Sequence, residues 1–390
     1  MIDDPSLGGP DPDPHRRTLD VYESSATRWE RERGVPQRAM SAAFGRRWSE
    51  KGGVVADLGC GPGWHLPDLP PGAIAFDGAR AMLDIVPNHS PTAPRVQGDL
   101  RALPFARHSL DGAWAERSYV HLDRRACPVA WWDLHRVLKV GAVAHLGLFT
   151  SPIDTEFTTR GPSGPSGPTD RNDHGPYPGD DFPGRSFSHW DPTLLDLVLE
   201  GAGFSITVRD VDADRDRVSL SVRRERTLAD LVGPDMRLLI VGLNPSVYAA
   251  DVGVGFGRPG NRAWPALLGS GLATVDRDPL DLLRNHRIGM TDLVKRATAK
   301  ASELSPAEFR HGLVRLDALC TWLQPGAICV LGVTGWRTAS GDRTAQLGLQ
   351  GRTLGGRPVY VMPNPSGLNA HTNVEDLIHH LHAALDLAGR

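Results

Sequence analysis

Short apolar runs that end in polar loops recur along this chain and constrain its fold more than any other feature. Residues 54–56 lead into the glycine-rich stretch DLGCGPG, and residues 238–241 lead into Leu-Asn-Pro-Ser. A third run, residues 358–362, leads into Pro-Asn-Pro-Ser. Apolar runs of this length are typical of strands that are buried on both faces of a parallel sheet. We therefore predict an α/β fold with functional groups at the carboxyl edge of each sheet.

The length of the chain, 390 residues, exceeds what one hydrophobic core usually supports, so we expect two domains. A charged, turn-prone stretch at 224–235 separates them. We predict a doubly wound, Rossmann-like domain at 18–226 and an α/β/α domain with a parallel central sheet at 236–388. Within the first domain, the Gly- and Pro-rich residues 158–185 should form a flexible loop that packs no core.

Local patterns predict further elements in both domains. After the Gly- and Pro-rich loop we expect one helix and two strands, at 189–200, 204–208 and 218–222. In the second domain, strands are predicted at 238–241, 288–293, 327–331 and 358–362, and helices at 265–270, 279–285, 305–322 and 373–387.

Composition and charge exclude several classes of protein. The four cysteines show no CxxC spacing and fall two in each predicted domain, which argues against a disulfide framework, a zinc site or an iron–sulfur cluster. No apolar stretch reaches the roughly 20 residues that a membrane span needs, and the N-terminus lacks the pattern of a secretory signal, so we expect a cytoplasmic protein. Residues 236–390 carry 16 Lys and Arg against 12 Asp and Glu, which is compatible with DNA binding without being diagnostic of it.

In the first predicted domain, acidic residues follow two further apolar runs after the glycine loop. Asp77 ends the second run, where a carboxylate can accept hydrogen bonds from both hydroxyls of a ribose. Asp99 and Leu100 follow the third run. Glycines after a strand let a cofactor approach the backbone. The alternative is a doubly wound domain in which the glycines only turn the chain.

From about residue 18 to 224 the sequence resembles the class I S-adenosylmethionine-dependent methyltransferases, on the ordered set DLGCGPG, Asp77 and RVLKVGA at 136–142. The resemblance implies that S-adenosylmethionine is the cofactor of this domain. It also implies a role for each cofactor-binding residue: Asp57, Gly59, Gly61 and Gly63 line the cofactor, Asp77 holds the ribose, and Asp99 and Leu100 flank the adenine. No recognisable acceptor motif follows the fourth predicted strand, around residues 110–115, so the methyl acceptor stays open.

Two polar, proline-stiffened loops in the second predicted domain should face one cleft. One loop contains Asn244 and follows the strand at 238–241, and the other follows the strand at 358–362. Both strands are expected in one parallel sheet, so their carboxyl ends lie at the same edge. Between them Phe256 stands among glycines, where its ring can stack on a flat ligand.

Residues 236–387 resemble the mismatch-specific uracil-DNA and thymine-DNA glycosylases. The matching motifs are GLNPS at 242–246, GFGRPGNRAW at 255–264, GMTDLVKRAT at 289–298 and NPSGLN at 364–369. The resemblance implies hydrolysis of the N-glycosidic bond of uracil, or of a related pyrimidine lesion, at G·U mismatches in double-stranded DNA during base excision repair. We expect this chemistry to need neither a metal nor a cofactor.

An enzyme that acts on a base must flip it out of the stack, hold it and fill the gap. We expect Asn244 to position the attacking water, Phe256 to stack on the base, and Leu368 to enter the duplex as an apolar wedge. The other substrate-contacting residues expected in that loop are Asn364, Ser366, Gly367 and Asn369.

Each of these features also has a plain structural explanation. An Asn-Pro pair can simply begin a turn, Phe256 can be a core ring, and NPSGLN can cap the last helix. The alternative function for the whole chain is a DNA-damage-binding protein with negligible turnover and a non-catalytic S-adenosylmethionine-binding domain. The oligomeric state is left open by the sequence.

Overall fold

The computed structural model describes residues 13–34, 36, 38–48, 52–151, 155–158, 181–367, 369 and 372–389. The chain divides into two compact units. Unit 1 comprises Met1–Cys127, Val137–Pro192 and Ile206–Arg223, and unit 2 comprises Pro128–Arg136, Thr193–Ser205 and Arg224–Arg390. Two short segments from the first predicted domain therefore group with unit 2. The predicted domain limits, 18–226 and 236–388, stay predictions.

The first half of the described chain forms a nine-stranded sheet with flanking helices. The strands are β1 Val55–Leu58, β2 Ile74–Asp77, β3 Arg95–Gln97, β4 Leu110–Glu116, β5 Leu138–Thr150, β6 Thr155–Thr158, β7 Ser186–Trp190, β8 Phe204–Asp212 and β9 Arg217–Arg224. The helices are α1 Pro14–Arg33, α2 Ala39–Gly45, α3 Arg80–Ile85, α4 Cys127–Val137 and α5 Pro192–Gly201. The strand order is β3-β2-β1-β4-β5-β7-β6, and β9 pairs with both β5 and β8.

Neighbouring strands in the order β3-β2-β1-β4-β5 run parallel to one another, and β7 runs parallel to β5. Strand β6 is antiparallel to β7, and β9 is antiparallel to β5. The chain adds β2 and β3 on one side of β1 and then β4 and β5 on the other side. The carboxyl ends of β1, β2 and β4 therefore lie together at the point where the winding reverses. The predicted Rossmann-like α/β class is confirmed.

The region after the Gly- and Pro-rich segment differs in part from the sequence prediction. Strands β8 and β9 confirm the two strands expected there. The helix predicted over 189–200 is wrong at its start, because His189 and Trp190 are buried residues of β7. Helix α5 begins only at Pro192, whose fixed φ and missing N–H suit the first turn of a helix.

Most of the segment predicted as a loop, residues 159–180, lies outside the described residues. At its C-terminal end, Phe182 and Arg185 are buried. The Arg185 guanidinium lies 4.8 Å from the ring centroid of Trp29, and the Phe182 ring lies 4.9 Å from the same ring. The prediction that no part of this segment packs a core is therefore wrong at Phe182 and Arg185, because cation–π and aromatic contacts bury these two side chains.

The second half of the described chain forms a five-stranded sheet. Its strands are β10 Leu238–Gly242, β11 Ile288–Asp292, β12 Ala327–Leu331, β13 Gly348–Leu349 and β14 Val359–Met362. Its helices are α6 Val247–Val252, α7 Ala263–Gly269, α8 Pro279–His286, α9 Pro306–Leu323, α10 Val333–Ser340 and α11 Val374–Leu385. The order is β11-β10-β12-β14-β13, with the first four parallel and β13 antiparallel to β14. All predicted strands and helices of this region are present, whereas α6, α10 and β13 were not predicted.

Both faces of the second sheet are covered by apolar side chains. On β10, Leu239 and Val241 face one cluster, which includes Leu316 of α9, and Leu238 and Ile240 face the other. Alternate residues of β12 and β14 divide in the same way. Burial on both faces explains why these strands are continuous apolar runs.

All four cysteines are free and buried, as expected of thiols that pack like small apolar groups. Among the described residues, no helix combines the length and the apolar character needed to cross a membrane.

Candidate functional site

Asn244 lies in the loop that follows β10 at the carboxyl edge of the second sheet. At the end of this loop the Ser246 hydroxyl accepts a hydrogen bond from the Ala249 N–H and caps α6. On the other side, the Thr298 N–H donates to the Pro245 carbonyl oxygen at 3.1 Å. Asn244 is half-buried and held between the start of α6 and the segment that follows β11.

The side-chain amide of Asn244 has a defined orientation. Its Nδ2 donates to Thr298 Oγ1 at 2.8 Å, to the Arg296 carbonyl oxygen at 3.0 Å and to the Pro245 carbonyl oxygen at 3.1 Å. These acceptors occupy the two N–H donors of the amide. No donor of a described residue lies within hydrogen-bond distance of Oδ1. The oxygen is therefore available to accept a hydrogen bond from a water molecule or a substrate.

The Phe256 ring is presented by a tight turn between α6 and α7. Its φ of 56° is in the left-handed region, which is unusual for a bulky residue. The Gly257 N–H donates to the Val254 carbonyl oxygen and closes the turn, and Trp264 Nε1 donates to the Gly255 carbonyl oxygen at 2.8 Å. Backbone strain of this kind clusters at functional sites. The ring itself is half-buried.

Gly242 brings the end of β10 against both Phe256 and Asp292. A Cβ at residue 242 would lie 3.1 Å from Phe256 Cζ and 2.3 Å from Asp292 Oδ1, so a side chain here would displace both. Asp292 is the last residue of β11 and pairs with Gly242 across the sheet. Phe256 and Asp292 line one cavity with Gly255 and Met290. This cavity has a volume of about 20 Å³, which is enough for a single water molecule.

Buried charged residues lie beside Asp292. The Asp230 carboxylate accepts hydrogen bonds from Lys295 Nζ, an Arg315 guanidinium nitrogen and Thr291 Oγ1, each at 2.6 Å. Burial alone would raise the pKa of Asp230, but Arg315 and Lys295 outweigh it and keep that pKa low. Asp292 lacks such bonds, and burial together with the charge of Asp230 raises its pKa to about 6 against the opposing effect of Lys295 and Arg315.

Arg262 organises the loop that follows β14. Its guanidinium donates to the Ser366 carbonyl oxygen at 2.7 Å, to the Asn369 carbonyl oxygen at 2.5 Å and to the Thr372 carbonyl oxygen. Its backbone N–H donates to the Pro365 carbonyl oxygen at 3.0 Å. A guanidinium can serve several carbonyls at once because its five N–H groups point outward in one plane. Arg262 thereby joins the motif that contains Phe256 to the loop after β14.

The other residues predicted for this loop make contacts within it. Asn364 Oδ1 accepts the Ser366 N–H at 2.9 Å, and Asn369 Nδ2 donates to the Asn364 carbonyl oxygen at 3.0 Å. Gly367 marks a close approach to the preceding motif, where a Cβ would come within 2.7 Å of a backbone oxygen. Leu368, the predicted wedge, lies outside the described residues.

Three residues of this site were not predicted as such, namely Thr298, Arg262 and Asp292. Each stands inside one of the quoted motifs, GMTDLVKRAT or GFGRPGNRAW. The only local sign of these roles is that each residue is polar, because the group that each one contacts lies on another part of the chain.

In unit 1 the predicted cofactor residues surround the turn after β1. Gly59, Gly61 and Gly63 have φ values of 74°, 52° and 88°, which glycine adopts without steric cost. A Cβ on Gly59 would collide with Ser118, whereas nothing lies within 4 Å of a Cβ on Gly61. The backbone at Gly61 is therefore open to close approach by a ligand.

Asp77, at the end of β2, closes this turn. Its two carboxylate oxygens accept the Gly61 N–H and the Ala79 N–H, both at 2.8 Å. A carboxylate has about four acceptor positions, so Asp77 retains capacity for ligand hydroxyls. Burial raises the pKa of this carboxyl group.

Two buried polar atoms beside the turn fit a polar ligand. Asp57 Oδ2 and Ser118 Oγ have no hydrogen-bond partner within the described part of the chain. Buried polar atoms are rarely left unpaired, so a ligand group or an ordered water is expected there. Together with the open glycine and Asp77, these atoms fit a nucleoside cofactor with a polar tail, such as S-adenosylmethionine.

Asp99 is engaged differently from the other predicted cofactor residues. Its carboxylate accepts hydrogen bonds from Arg101 Nε at 3.0 Å and from a terminal nitrogen of the same guanidinium at 2.8 Å. Hydrogen bonds from Arg101, together with His15, whose Nε2 lies 3.6 Å from Asp99 Oδ1, outweigh burial and hold the pKa of Asp99 well below its usual range. Leu100 is buried next to it.

Several solved structures similar to this chain are methyltransferases, at low sequence identity. A 1,6-didemethyltoxoflavin-N1-methyltransferase of Burkholderia thailandensis, solved with S-adenosylhomocysteine, is 13% identical, with a TM-score of 0.41 over 58% of this chain and 98% of its own. A magnesium protoporphyrin IX methyltransferase of Synechocystis is 14% identical, with a TM-score of 0.39 over 56% of this chain and 100% of its own. An S-adenosylmethionine-dependent methyltransferase of Methanosarcina mazei is 15% identical, with a TM-score of 0.37 over 46% of this chain and 96% of its own.

Two family models match this chain, one over each of the two regions that contain the sequence motifs. Residues 55–141, which contain the glycine turn, Asp77 and β1 to β4, match a methyltransferase domain. Residues 229–386, which contain the loops of Asn244, Phe256 and Asn364, match the uracil DNA glycosylase superfamily. The chain thus carries a methyltransferase domain followed by a domain of the uracil DNA glycosylase superfamily.

Proposed function

We propose that the glycosylase-superfamily domain hydrolyses the N-glycosidic bond of uracil, or of a related pyrimidine lesion, at G·U mismatches in duplex DNA during base excision repair. The observation that carries the proposal is the orientation of Asn244. Its amide nitrogen is occupied by Thr298 and Arg296, and its Oδ1 is left to accept a hydrogen bond. Two residues earlier, Gly242 lies against the Phe256 ring that can hold the base.

The chemistry that follows depends on orientation more than on proton abstraction. An amide oxygen can hold a water molecule but is too weak a base to deprotonate it. The bond between N1 and C1′ must therefore break early, with its electron pair moving to the base and a cation-like sugar remaining. The water held by Asn244 then adds to C1′ and loses its proton to solvent.

Different parts of the site hold the flipped base and fill the gap that it leaves in the duplex. A base that leaves the stack needs a pocket with an aromatic face, which the Phe256 ring beside Gly242 provides. The gap must be filled from the protein side, and we assign this role to residues 366–369 with Leu368 as the wedge. Arg262 holds the backbone of that loop at three carbonyl groups.

For the first domain we infer binding of S-adenosylmethionine in the turn after β1. Asp57, Gly59, Gly61 and Gly63 would line the cofactor, Asp77 would take the ribose hydroxyls, and Asp99 and Leu100 would flank the adenine. When bound, the cofactor supplies a methyl group to a nucleophile. The open backbone at Gly61 and the unpaired atoms of Asp57 and Ser118 support this assignment.

Single-turnover base release from a duplex with one G·U pair tests the glycosylase assignment. We expect release by the parent protein, and a loss of at least about a hundredfold in Asn244→Ala, as is typical when a key catalytic hydrogen-bonding group is removed. Phe256→Ala should also be slow, whereas Phe256→Tyr, which keeps the ring, should stay close to the parent. Asn285→Ala, at an exposed asparagine of α8, is the matched control.

The outcomes separate the two candidate functions. Release that depends on Asn244 supports the glycosylase. No release from G·U or single-stranded uracil, with preferential binding of mismatched duplex, would favour a damage-binding protein with negligible turnover.

A further inference from the structure

Asp292 lies beside the Phe256 ring on which a flipped base would stack. It ends β11 at the carboxyl edge of the sheet, and its Oδ1 and the Phe256 ring both lie against Gly242. Both residues line the same cavity. The residue as a whole is only 5% exposed, so its carboxyl group is nearly shielded from water. A ring stacked on Phe256 would place its polar edge near this carboxyl group.

The carboxyl group of Asp292 has no hydrogen-bond donor among the described residues. The hydrogen bonds that reach residue 292 go to its backbone oxygen, from Arg315 at 2.6 Å and from Thr291 at 3.4 Å. A buried carboxyl group without a donor is unfavourable in its ionised form. The geometry therefore favours a neutral acid, which has one donor and one acceptor to offer.

The charged groups around Asp292 come from three elements. Asp230 lies in the segment before β10, Lys295 in the loop after β11, and Arg315 on α9. Both cations are bonded to Asp230, Lys295 Nζ at 2.6 Å and Arg315 at 2.6 Å. The two positive charges are thus directed at the neighbouring carboxylate and not at Asp292. This arrangement agrees with the raised pKa of Asp292, about 6, which burial causes in the first place.

We propose that Asp292 is a specificity-determining residue of the glycosylase domain and donates a hydrogen bond from its protonated carboxyl group to a carbonyl oxygen of the flipped pyrimidine. The proposal rests on the proposed uracil-excising function. A carboxylic acid complements the imide edge of uracil, since its hydroxyl donates to a ring carbonyl and its own carbonyl accepts the N3–H.

The same contact would assist bond cleavage. As the bond between C1′ and N1 breaks, negative charge develops on the pyrimidine and its carbonyl oxygens. A donor aimed at one of these oxygens stabilises that charge, whereas an ionised carboxylate would repel it. Excision should therefore follow the protonated fraction of Asp292 and fall as the pH rises.

The test compares the parent chain with Asp292→Asn and Asp292→Ala in single-turnover release from a G·U duplex between pH 5 and 8. We expect the parent rate to be about 50-fold lower at pH 8 than at pH 6, because the protonated fraction of a group with that pKa drops by this factor. Asp292→Asn keeps a donor that does not titrate, so its rate should change by less than about threefold over this range. Asp292→Ala should be slow throughout.

Asp386→Asn, which neutralises an exposed aspartate of the same unit, is the matched control and should keep the parent profile. Parent-like pH profiles in Asp292→Asn or parent-like rates in Asp292→Ala would overturn the proposal. Circular dichroism of each variant at each pH verifies that the fold is retained.

A protein that does not excise uracil would give a different result in this test. If the parent releases no base at any pH, uracil excision is refuted, and the role of Asp292 is then decided by binding. The probe is a duplex with 2′-fluoroarabinouridine opposite guanine, whose glycosidic bond resists hydrolysis. Affinity that falls between pH 6 and 8 in the parent but not in Asp292→Asn supports base contact by the protonated acid. Equal pH dependence in both proteins contradicts it.

Discussion

The side-chain nitrogen of Asn244 lies 2.8 Å from the hydroxyl oxygen of Thr298, although 54 residues separate the two in sequence. Thr298 is buried, and its backbone N–H also binds the loop at Pro245. One residue therefore fixes both the backbone of the Asn244 loop and the orientation of the amide. Catalysis by a positioned water is sensitive to such orientation, because small displacements of reacting groups have large effects on rate.

Thr298→Val should slow base release by about fivefold while leaving the protein folded, since one neutral hydrogen bond contributes about 1 kcal/mol. Without the hydroxyl acceptor, the Asn244 amide can rotate and exchange its oxygen for its nitrogen. Single-turnover rates on a G·U duplex measure the effect. Thr298→Ser keeps the hydroxyl group and should stay within about threefold of the parent, so equal rates in the two variants would refute a positioning role for the hydroxyl.

Arg262→Lys should weaken excision, although the positive charge is kept. One ammonium group cannot reach the three carbonyl groups that the guanidinium binds, so the loop after β14 loses its fixed shape. We expect the free energy of unfolding to fall by about 1–3 kcal/mol and single-turnover release to slow by at least tenfold. Urea unfolding and base release measure these effects. Arg352→Lys, at an exposed arginine, is the control, and an Arg262→Lys variant as fast as this control would contradict the prediction.

Gly61→Ala should weaken cofactor binding by the first domain. Gly61 and Gly72 both have positive φ, 52° and 81°, and neither has an atom within 4 Å of an added Cβ. Alanine at either position therefore carries a similar backbone strain, about 1–2 kcal/mol. Only the methyl group at residue 61 would enter the turn where we place the cofactor.

Calorimetric titration of the full chain with S-adenosylhomocysteine measures this difference. We expect at least a tenfold loss of affinity in Gly61→Ala and parent-like affinity in Gly72→Ala. Equal affinities in the two variants would refute the assignment of this turn.

Asp292→Asn should stabilise the protein at neutral pH and less so in acid. The pKa of Asp292 is raised from 3.8 to about 6, so the folded state holds this proton more tightly than the unfolded state. The resulting stabilisation is complete below pH 4 and is lost as the pH rises through 6. A shift of this size corresponds to about 3 kcal/mol.

Chemical unfolding of the parent and of Asp292→Asn at pH 4, 6 and 8 measures the effect. The difference between the two should grow with pH and level off above pH 7. Asp386→Asn should show no such trend, and a difference between Asp292→Asn and the parent that does not change with pH would contradict the prediction.

The strands of the second sheet were predictable because their burial on both faces requires continuous apolar runs. Helix α9 was predictable because Ser305 and Glu308 form a capping box ahead of an amphipathic stretch. Helix α6 was missed because it has only 6 residues, too few to show a helical period, and α10 because it lacks a side-chain N-cap and contains Gly335. The start of α5 was misplaced because residues 189 and 190 are apolar or aromatic and suit a strand as well as a helix.

Some residues of the candidate site could likewise be predicted from local sequence, and others could not. Asn244, Phe256 and Asn364 were identified from motifs that are contiguous in sequence and lie after predicted strands. The roles of Thr298, Arg262 and Asp292 were not, because each depends on a partner in another motif.

The sequence by itself determined the α/β class, most strands and helices, and the order of the motifs, since apolar runs, caps and turns are encoded locally. The tertiary structure decided which polar groups meet. Strand β10 lies between β11 and β12, and this order brings Gly242 against Asp292 and the Asn244 loop against Thr298. Strand order depends on long-range packing of the helices over both faces of the sheet, which no local pattern specifies.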